Sequence, residues 1–167
     1  MKEEPVGTIE QIGEEYTVLL ERDYPVDIES VWRALVEPEK LRRWLAEVTI
    51  DGRVGGSFDI DFGSETSGGA ILSYDPPRVL EFEWGGRGEP SVVRFDLEVS
   101  DRGTRLRLTH TRQTAKMAAG TGPGWHAHLD VLGILLEGGD FDLDNDYGDL
   151  YVAAKPRYAG SVPAEAP

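Results

Sequence analysis

Through the middle of this chain, apolar residues recur at every second position. Phe58, Ile60 and Phe62 alternate with Ser57, Asp59 and Asp61, and Leu80, Phe82 and Trp84 alternate with Glu81 and Glu83. Val93, Phe95, Leu97 and Val99 are interleaved with Arg94, Asp96 and Glu98, and Leu106, Leu108 and His110 with Arg105, Arg107 and Thr109. A period of two gives an antiparallel strand one dry face and one wet face. Gly55-Gly56, Gly68-Gly69, Pro76-Pro77, Gly85-Gly86 and Asp101-Arg102-Gly103 punctuate these runs as turns. An earlier strand is predicted over Tyr16–Tyr24, stopped by Pro25.

Elsewhere the period is that of a helix. Asp27 can cap a short helix through Leu35, with Ile28, Val31, Trp32 and Leu35 on one stripe. Pro38 opens a second, carrying Leu41, Trp44 and Leu45. After Gly124, Trp125, Leu129, Leu132 and Leu136 share a stripe flanked by His128 and Leu135, which predicts one long helix ended by Gly138-Gly139. Gly120-Thr121-Gly122-Pro123-Gly124 reads as a flexible hinge ahead of it. The order is a strand, two short helices, about five strands and a long helix. This is an α+β chain in which a curved antiparallel sheet must be covered by the long helix, with the two short helices between the first two strands. A single domain is expected over residues 1–160, with the Pro/Ala-rich 161–167 as a fraying tail.

Composition narrows the function classes. Of 167 residues, 31 are Asp or Glu and 17 Lys or Arg, a net charge of −14 that repels phosphate backbones and anionic lipid. Neither nucleic acid nor membrane is an expected partner. The absence of Cys excludes disulfides, thiolate metal sites and cysteine nucleophiles. The acidic start Met1-Lys2-Glu3-Glu4-Pro5 has no apolar segment of a signal peptide, so a cytoplasmic location is expected.

Several segments together carry a family resemblance. They are Glu21-Arg22-Asp23-Tyr24-Pro25, Val31-Trp32-Arg33-Ala34-Leu35, Pro38-Glu39-Lys40-Leu41 with Trp44, and Gly55-Gly56-Ser57-Phe58. Pro76-Pro77-Arg78-Val79-Leu80 with Phe82 and Trp84, Gly103-Thr104-Arg105-Leu106 through Thr109-His110, and Gly124-Trp125-His126-Ala127-His128-Leu129 complete the set. In this order they resemble the SRPBCC, or START-like, superfamily. Within it they resemble the branch named after the activator of the ninety-kilodalton heat-shock protein ATPase. The resemblance implies a helix-grip fold with an apolar cavity between sheet and long helix. Superfamily members bind lipids, sterols, polyketides or plant hormones, and a minority catalyse cyclisation or hydrolysis.

Candidate chemistry is sparse. His126 and His128 stand about 200° apart around a helix and cannot share a metal. The stretch Asp140–Gly148 fails the EF-hand pattern and reads as a solvated acidic turn. Phosphate-cradle, nucleophile-elbow and zinc-protease motifs are absent, so no metal or cofactor is expected. What remains is the lining of the implied cavity. From the strands it would draw Phe58, Ile60, Phe62, Tyr74, Phe82, Trp84, Phe95, Leu108 and His110. From the helices it would draw Trp44, Trp125, His128, Leu129 and Leu132. Arg22 shares the inward face of Val18, Leu20 and Tyr24; either it and His110 converge on a ligand, or Arg22 pairs with an acidic neighbour and His110 with a backbone carbonyl. The expected function is non-catalytic binding of a small hydrophobic or aromatic molecule by a monomer or homodimer. Two alternatives stand beside it: an aromatase/cyclase-type enzyme using His110 or His128 as general acid/base, and a chaperone-associated interaction module presenting an acidic convex face.

Overall fold

The computed structural model describes residues 6–162. Its elements run β1 (Thr8–Ile12), β2 (Glu15–Tyr24), α1 (Ile28–Val36), α2 (Pro38–Trp44), β3 (Glu47–Ile50) and β4 (Ser57–Asp61). They continue with β5 (Thr66–Asp75), β6 (Val79–Glu83), β7 (Val92–Ser100), β8 (Gly103–Gln113), α3 (Ala115–Leu136) and α4 (Leu143–Tyr158). Eight antiparallel strands form one sheet in the order β1-β2-β8-β7-β6-β5-β4-β3. Bulges between Tyr16 and Val18 and between Ile71 and Ser73 interrupt the ladders. Such bulges bend the strands that carry them, which suits a sheet that curves around a helix. The α+β helix-grip architecture is the observed one.

Alternation decides which side chains meet α3. Leu80, Phe82, Val93, Phe95, Leu97, Leu106, Leu108 and His110 are buried, and Phe58 stacks on Phe82 at 4.1 Å between ring centroids. Val99 departs from the expectation. It is 67% exposed at the tip of the β7–β8 hairpin, outside the cover that buries the rest of its strand. The outer face is not uniformly acidic either. Arg94, Arg105 and Arg107 reach across strands to Glu81 at 3.7 Å, Asp23 at 3.1 Å and Glu21 at 3.4 Å. Neighbouring strands thus present opposite charges to one another.

Four further corrections concern element boundaries. The edge strands β1 and β3 are short and polar, with few inward apolar residues to betray them, and β1 shifts the two short helices to between the second and third strands. Gly68-Gly69 is not a turn but lies inside β5. Gly68 holds φ +89° there, and a Cβ would fall 1.9 Å from the Phe58 carbonyl oxygen. Gly68→Ala is accordingly expected to lower stability by about 1–3 kcal/mol in denaturant melts, from backbone strain together with the clash.

The Gly120–Gly124 segment is not a hinge but the middle of α3. Helix propensity argues against this, at about 1 kcal/mol for each Gly and about 3 for Pro123. Close packing overrides it: a Cβ on Gly122 would sit 2.9 Å from Ile9 Cδ1 and 3.2 Å from Tyr158 Cδ1. The helix begins at Thr114, whose side chain accepts from the Met117 N–H. Gln113 ties β8 to it, donating to the His110 carbonyl and accepting from the Thr121 hydroxyl at 2.6 Å.

Residues 140–149 are not a simple acidic turn. Asp142 caps α4 by accepting from the Asn145 N–H, and Asp144 and Asp146 occupy its first turn, where the helix dipole favours anions. The expected tail is described only to Val162, and residues 163–167 lie outside the described residues. No helix among the described residues is long and apolar enough to cross a membrane.

Candidate functional site

The aromatic residues of the core form a continuous chain that reaches the surface at one end of the grip. Phe82 lies 6.5 Å from Phe95 and from Trp84, and Trp84 lies 5.3 Å from Trp125. Trp125 leads on to His128 at 6.1 Å, which stacks on Tyr147 of α4 at 4.3 Å, and Tyr147 leads to Tyr151 at 6.3 Å. Where this chain meets solvent, an open cleft of about 350 Å³ is lined by Phe62, Trp84, Trp125, His128, Tyr147 and Tyr151, with Glu65, Thr121, Gly120 and Gly124. Phe62, His128 and Tyr147 also border an adjoining charged groove carrying Arg42, Arg43, Glu47, Asp61, Asp142 and Asp144.

Four of the fourteen residues expected to line a ligand site, Phe62, Trp84, Trp125 and His128, therefore come together here. Phe82, Phe95 and His110 stand directly behind them, in ring contact with Trp84 or Trp125. Phe58, Leu108 and Leu129 are core residues at 1% exposure or less. Ile60, at 1% exposure, lies in β4. Tyr74 packs its ring against Trp32 at 5.4 Å, away from the cleft. Trp44 and Leu132 lie beside another groove, on the side of α3 that meets α1 and α2. Tyr147 and Tyr151 were not foreseen. Their i, i+4 spacing would have marked them as neighbours once the Asp142 cap was read as a helix start.

Hydrogen bonding settles the state of each histidine. The Trp125 indole N–H donates to His110 Nδ1 at 3.0 Å, so in the neutral ring Nε2 carries the hydrogen and donates to Ser91 Oγ at 2.6 Å. That direction is opposite to what activation of Ser91 by His110 requires. His128 has the other tautomer, with Nδ1–H donating to the Trp44 carbonyl at 2.8 Å. His126 faces the far side of α3. Arg157 donates to its Nε2 at 3.3 Å, leaving Nδ1–H for the Tyr158 hydroxyl oxygen at 2.8 Å. Arg22 is buried beside it and pairs with Asp130 at 3.2 Å, the acidic-neighbour reading of the two, whereas the His110 ring bonds two side chains and not a backbone carbonyl.

Burial lowers His110 to about 3 and His128 to about 4, the bond to Trp44 opposing the shift in the latter. Burial and the nearby charges of Arg22 and Arg157 lower His126 to about 4. An unfolded chain protonates near 6.5, so between about 6.5 and 4 it binds protons that the fold refuses. Stability is therefore full above 6.5 and falls as the pH drops through this window. His110 alone should contribute a slope of about 1.4 kcal/mol per pH unit. Denaturant melts at pH 7, 6 and 5 check this, and a flat profile contradicts neutral burial.

Comparison with known proteins places this architecture. The family model described as "Activator of Hsp90 ATPase homolog 1-like protein" matches residues 25–137. That span ends before α4, so Tyr147 and Tyr151 lie beyond it. CalU16 from Micromonospora echinospora is similar at 28% identity, with a TM-score of 0.75 over 95% of this chain and 97% of that one. The protein encoded by BPP1335 of Bordetella parapertussis is 31% identical, with a TM-score of 0.70 over 89% and 87% of the two chains. The Aha1 dimer of Colwellia psychrerythraea shares the fold at 21% identity and a TM-score of 0.66, over 75% of this chain and 98% of its own. No curated protein matches the chain.

Proposed function

The chain belongs to the Activator of Hsp90 ATPase homolog 1-like family, and on that footing we propose that it binds a small planar aromatic molecule in the cleft between α3, α4 and the end of β6, without transforming it. The observation that carries this reading is the cleft wall itself. Two indoles, two phenols, a phenyl ring and an imidazole border about 350 Å³ of open space, within the range of small-molecule sites. The cleft lies at the mouth of the grip, because the stacked Phe58 and Phe82 and their neighbours occupy the space behind it. The state of His110 speaks against its use as the acid/base of an aromatase/cyclase-type reaction, since both of its ring nitrogens are engaged within the core, which leaves that alternative to His128. A chaperone-associated role through an acidic face has less support, because Arg94, Arg105 and Arg107 interrupt the carboxylates of that face.

Tryptophan fluorescence tests the proposal, since Trp84 and Trp125 both line the cleft. In a panel of flavonoids, sterols and fatty acids, planar aromatics should quench with Kd below about 100 μM, worth about −5.5 kcal/mol. Trp84→Leu should weaken them about tenfold. Absence of binding below that concentration across the panel overturns the reading and moves the chaperone-associated alternative ahead.

A further inference from the structure

The cleft has spent most of its side-chain donors and keeps its acceptors. Thr121 O–H donates to Gln113 at 2.6 Å, Trp125 N–H to His110 at 3.0 Å, and Tyr147 O–H to the Gly124 carbonyl at 3.3 Å. Burial, together with the neighbouring Tyr151, keeps the Tyr147 phenol protonated and its hydrogen committed. Of the lining side chains, only Trp84 N–H and Tyr151 O–H remain as donors. The acceptors remain available: the Glu65 carboxylate, the Thr121 oxygen and, at the junction with the charged groove, His128 Nε2.

His128 is the most tightly positioned of these. A carbonyl oxygen only accepts, so the 2.8 Å contact with Trp44 puts the hydrogen on Nδ1 and leaves Nε2 as a bare lone pair. Trp44 is itself fixed, 1% exposed and donating its indole N–H to the Ala34 carbonyl at 2.8 Å. Tyr147 stacks on the imidazole within 27° of parallel and holds its plane. The ring is partly buried, its hydrogen bond among the described residues is made through Nδ1, and Nε2 is not among the buried polar atoms left unpaired. A ligand that covers this nitrogen without donating a hydrogen leaves it desolvated and unpaired, whereas a donor in the right place replaces the lost water.

We propose that the cleft selects planar aromatic ligands carrying an un-ionised ring hydroxyl, which donates its hydrogen bond to His128 Nε2. The inference rests on the cleft being an aromatic-ligand site. A phenolate or carboxylate at the same place would offer only a lone pair to a lone pair, in a cleft that Glu65 lines and next to a groove that carries Asp61, Asp142 and Asp144. Arg42 and Arg43 of the adjoining groove are engaged by Glu47 at 3.7 Å and Asp140 at 3.3 Å.

Matched probes test the hydroxyl separately from the ring: 2-naphthol, 2-methoxynaphthalene and 2-naphthoate at neutral pH. The wild type should bind 2-naphthol at least tenfold tighter than either of the others. His128→Phe keeps a ring for Tyr147 to stack on, and should bring 2-naphthol to within about twofold of the methoxy probe. A second readout needs no variant. With only three histidines in the chain, ¹⁵N-imidazole spectra should show an Nδ1–H tautomer for His128, and its Nε2 resonance should move on adding 2-naphthol and stay in place with the ether. Equal binding of 2-naphthol and its methyl ether overturns the hydroxyl preference while leaving the aromatic site intact. An Nε2–H tautomer for His128 overturns it as well. Failure of all three probes to bind removes the aromatic site and this inference together.

Discussion

Replacing Trp125 with alanine is expected to lower the unfolding free energy by about 3–5 kcal/mol, a large share of a domain's total. The indole is 3% exposed although it lines the cleft, and it meets Phe95 edge-on at 6.0 Å and Trp84 at 5.3 Å. Its N–H is the hydrogen bond that sets the tautomer of His110, whose ring is wholly buried. Truncation therefore leaves a void among aromatic rings and an orphaned nitrogen in a dry environment, where an unmet acceptor costs about 1–3 kcal/mol more. Trp125→Phe, which fills most of the void but lacks the N–H, separates the two contributions. Denaturant melts measure both, and a loss below 1 kcal/mol for the alanine variant would mean that the indole does not anchor α3 to the sheet.

Asp130→Ala is the second large effect, at about 3 kcal/mol. Arg22 is 2% exposed, and Asp130 is the carboxylate that α3 sets against it at 3.2 Å. Removing one partner of a buried pair costs about 3–5 kcal/mol, and the lower end applies because the Asp130 side chain is 27% exposed. The change also takes away the anion 3.7 Å from His126 Nε2, leaving that ring between Arg22 and Arg157. The His126 titration should move further down, which NMR can follow. The double variant Arg22→Met with Asp130→Ala should recover most of the stability, since no guanidinium then remains to be neutralised. If the single variant melts as the wild type does, Arg22 does not depend on Asp130.

The alternation of Phe82-Glu83-Trp84 or Leu106-Arg107-Leu108 by itself determined the antiparallel sheet and its dry face, because a strand has only two sides and burial must choose one. The Trp125–Leu136 stripe likewise identified the helix that covers it. Arg22 and His110 were legible as inward residues by counting along β2 and β8. The sequence resemblance pointed to the family, and the match over residues 25–137 established it.

Other features depended on contacts between segments far apart in the chain. Glycine and proline at 120–124 oppose a helix locally, and only the approach of Ile9 and Tyr158 to Gly122 makes a residue without Cβ the one that fits. Gly68 and Gly69 look like a turn until Phe58 is seen lying against them across the β4–β5 ladder. Helix α4 has only two buried residues, Ala154 and Tyr158, so periodicity had almost nothing to register. Yet α4 brings Tyr147 onto His128, and with it one wall of the cleft. Which nitrogen of His128 stays bare is decided by a backbone carbonyl 84 positions away in the chain. Such a choice is a matter of geometry, and only the folded arrangement holds it.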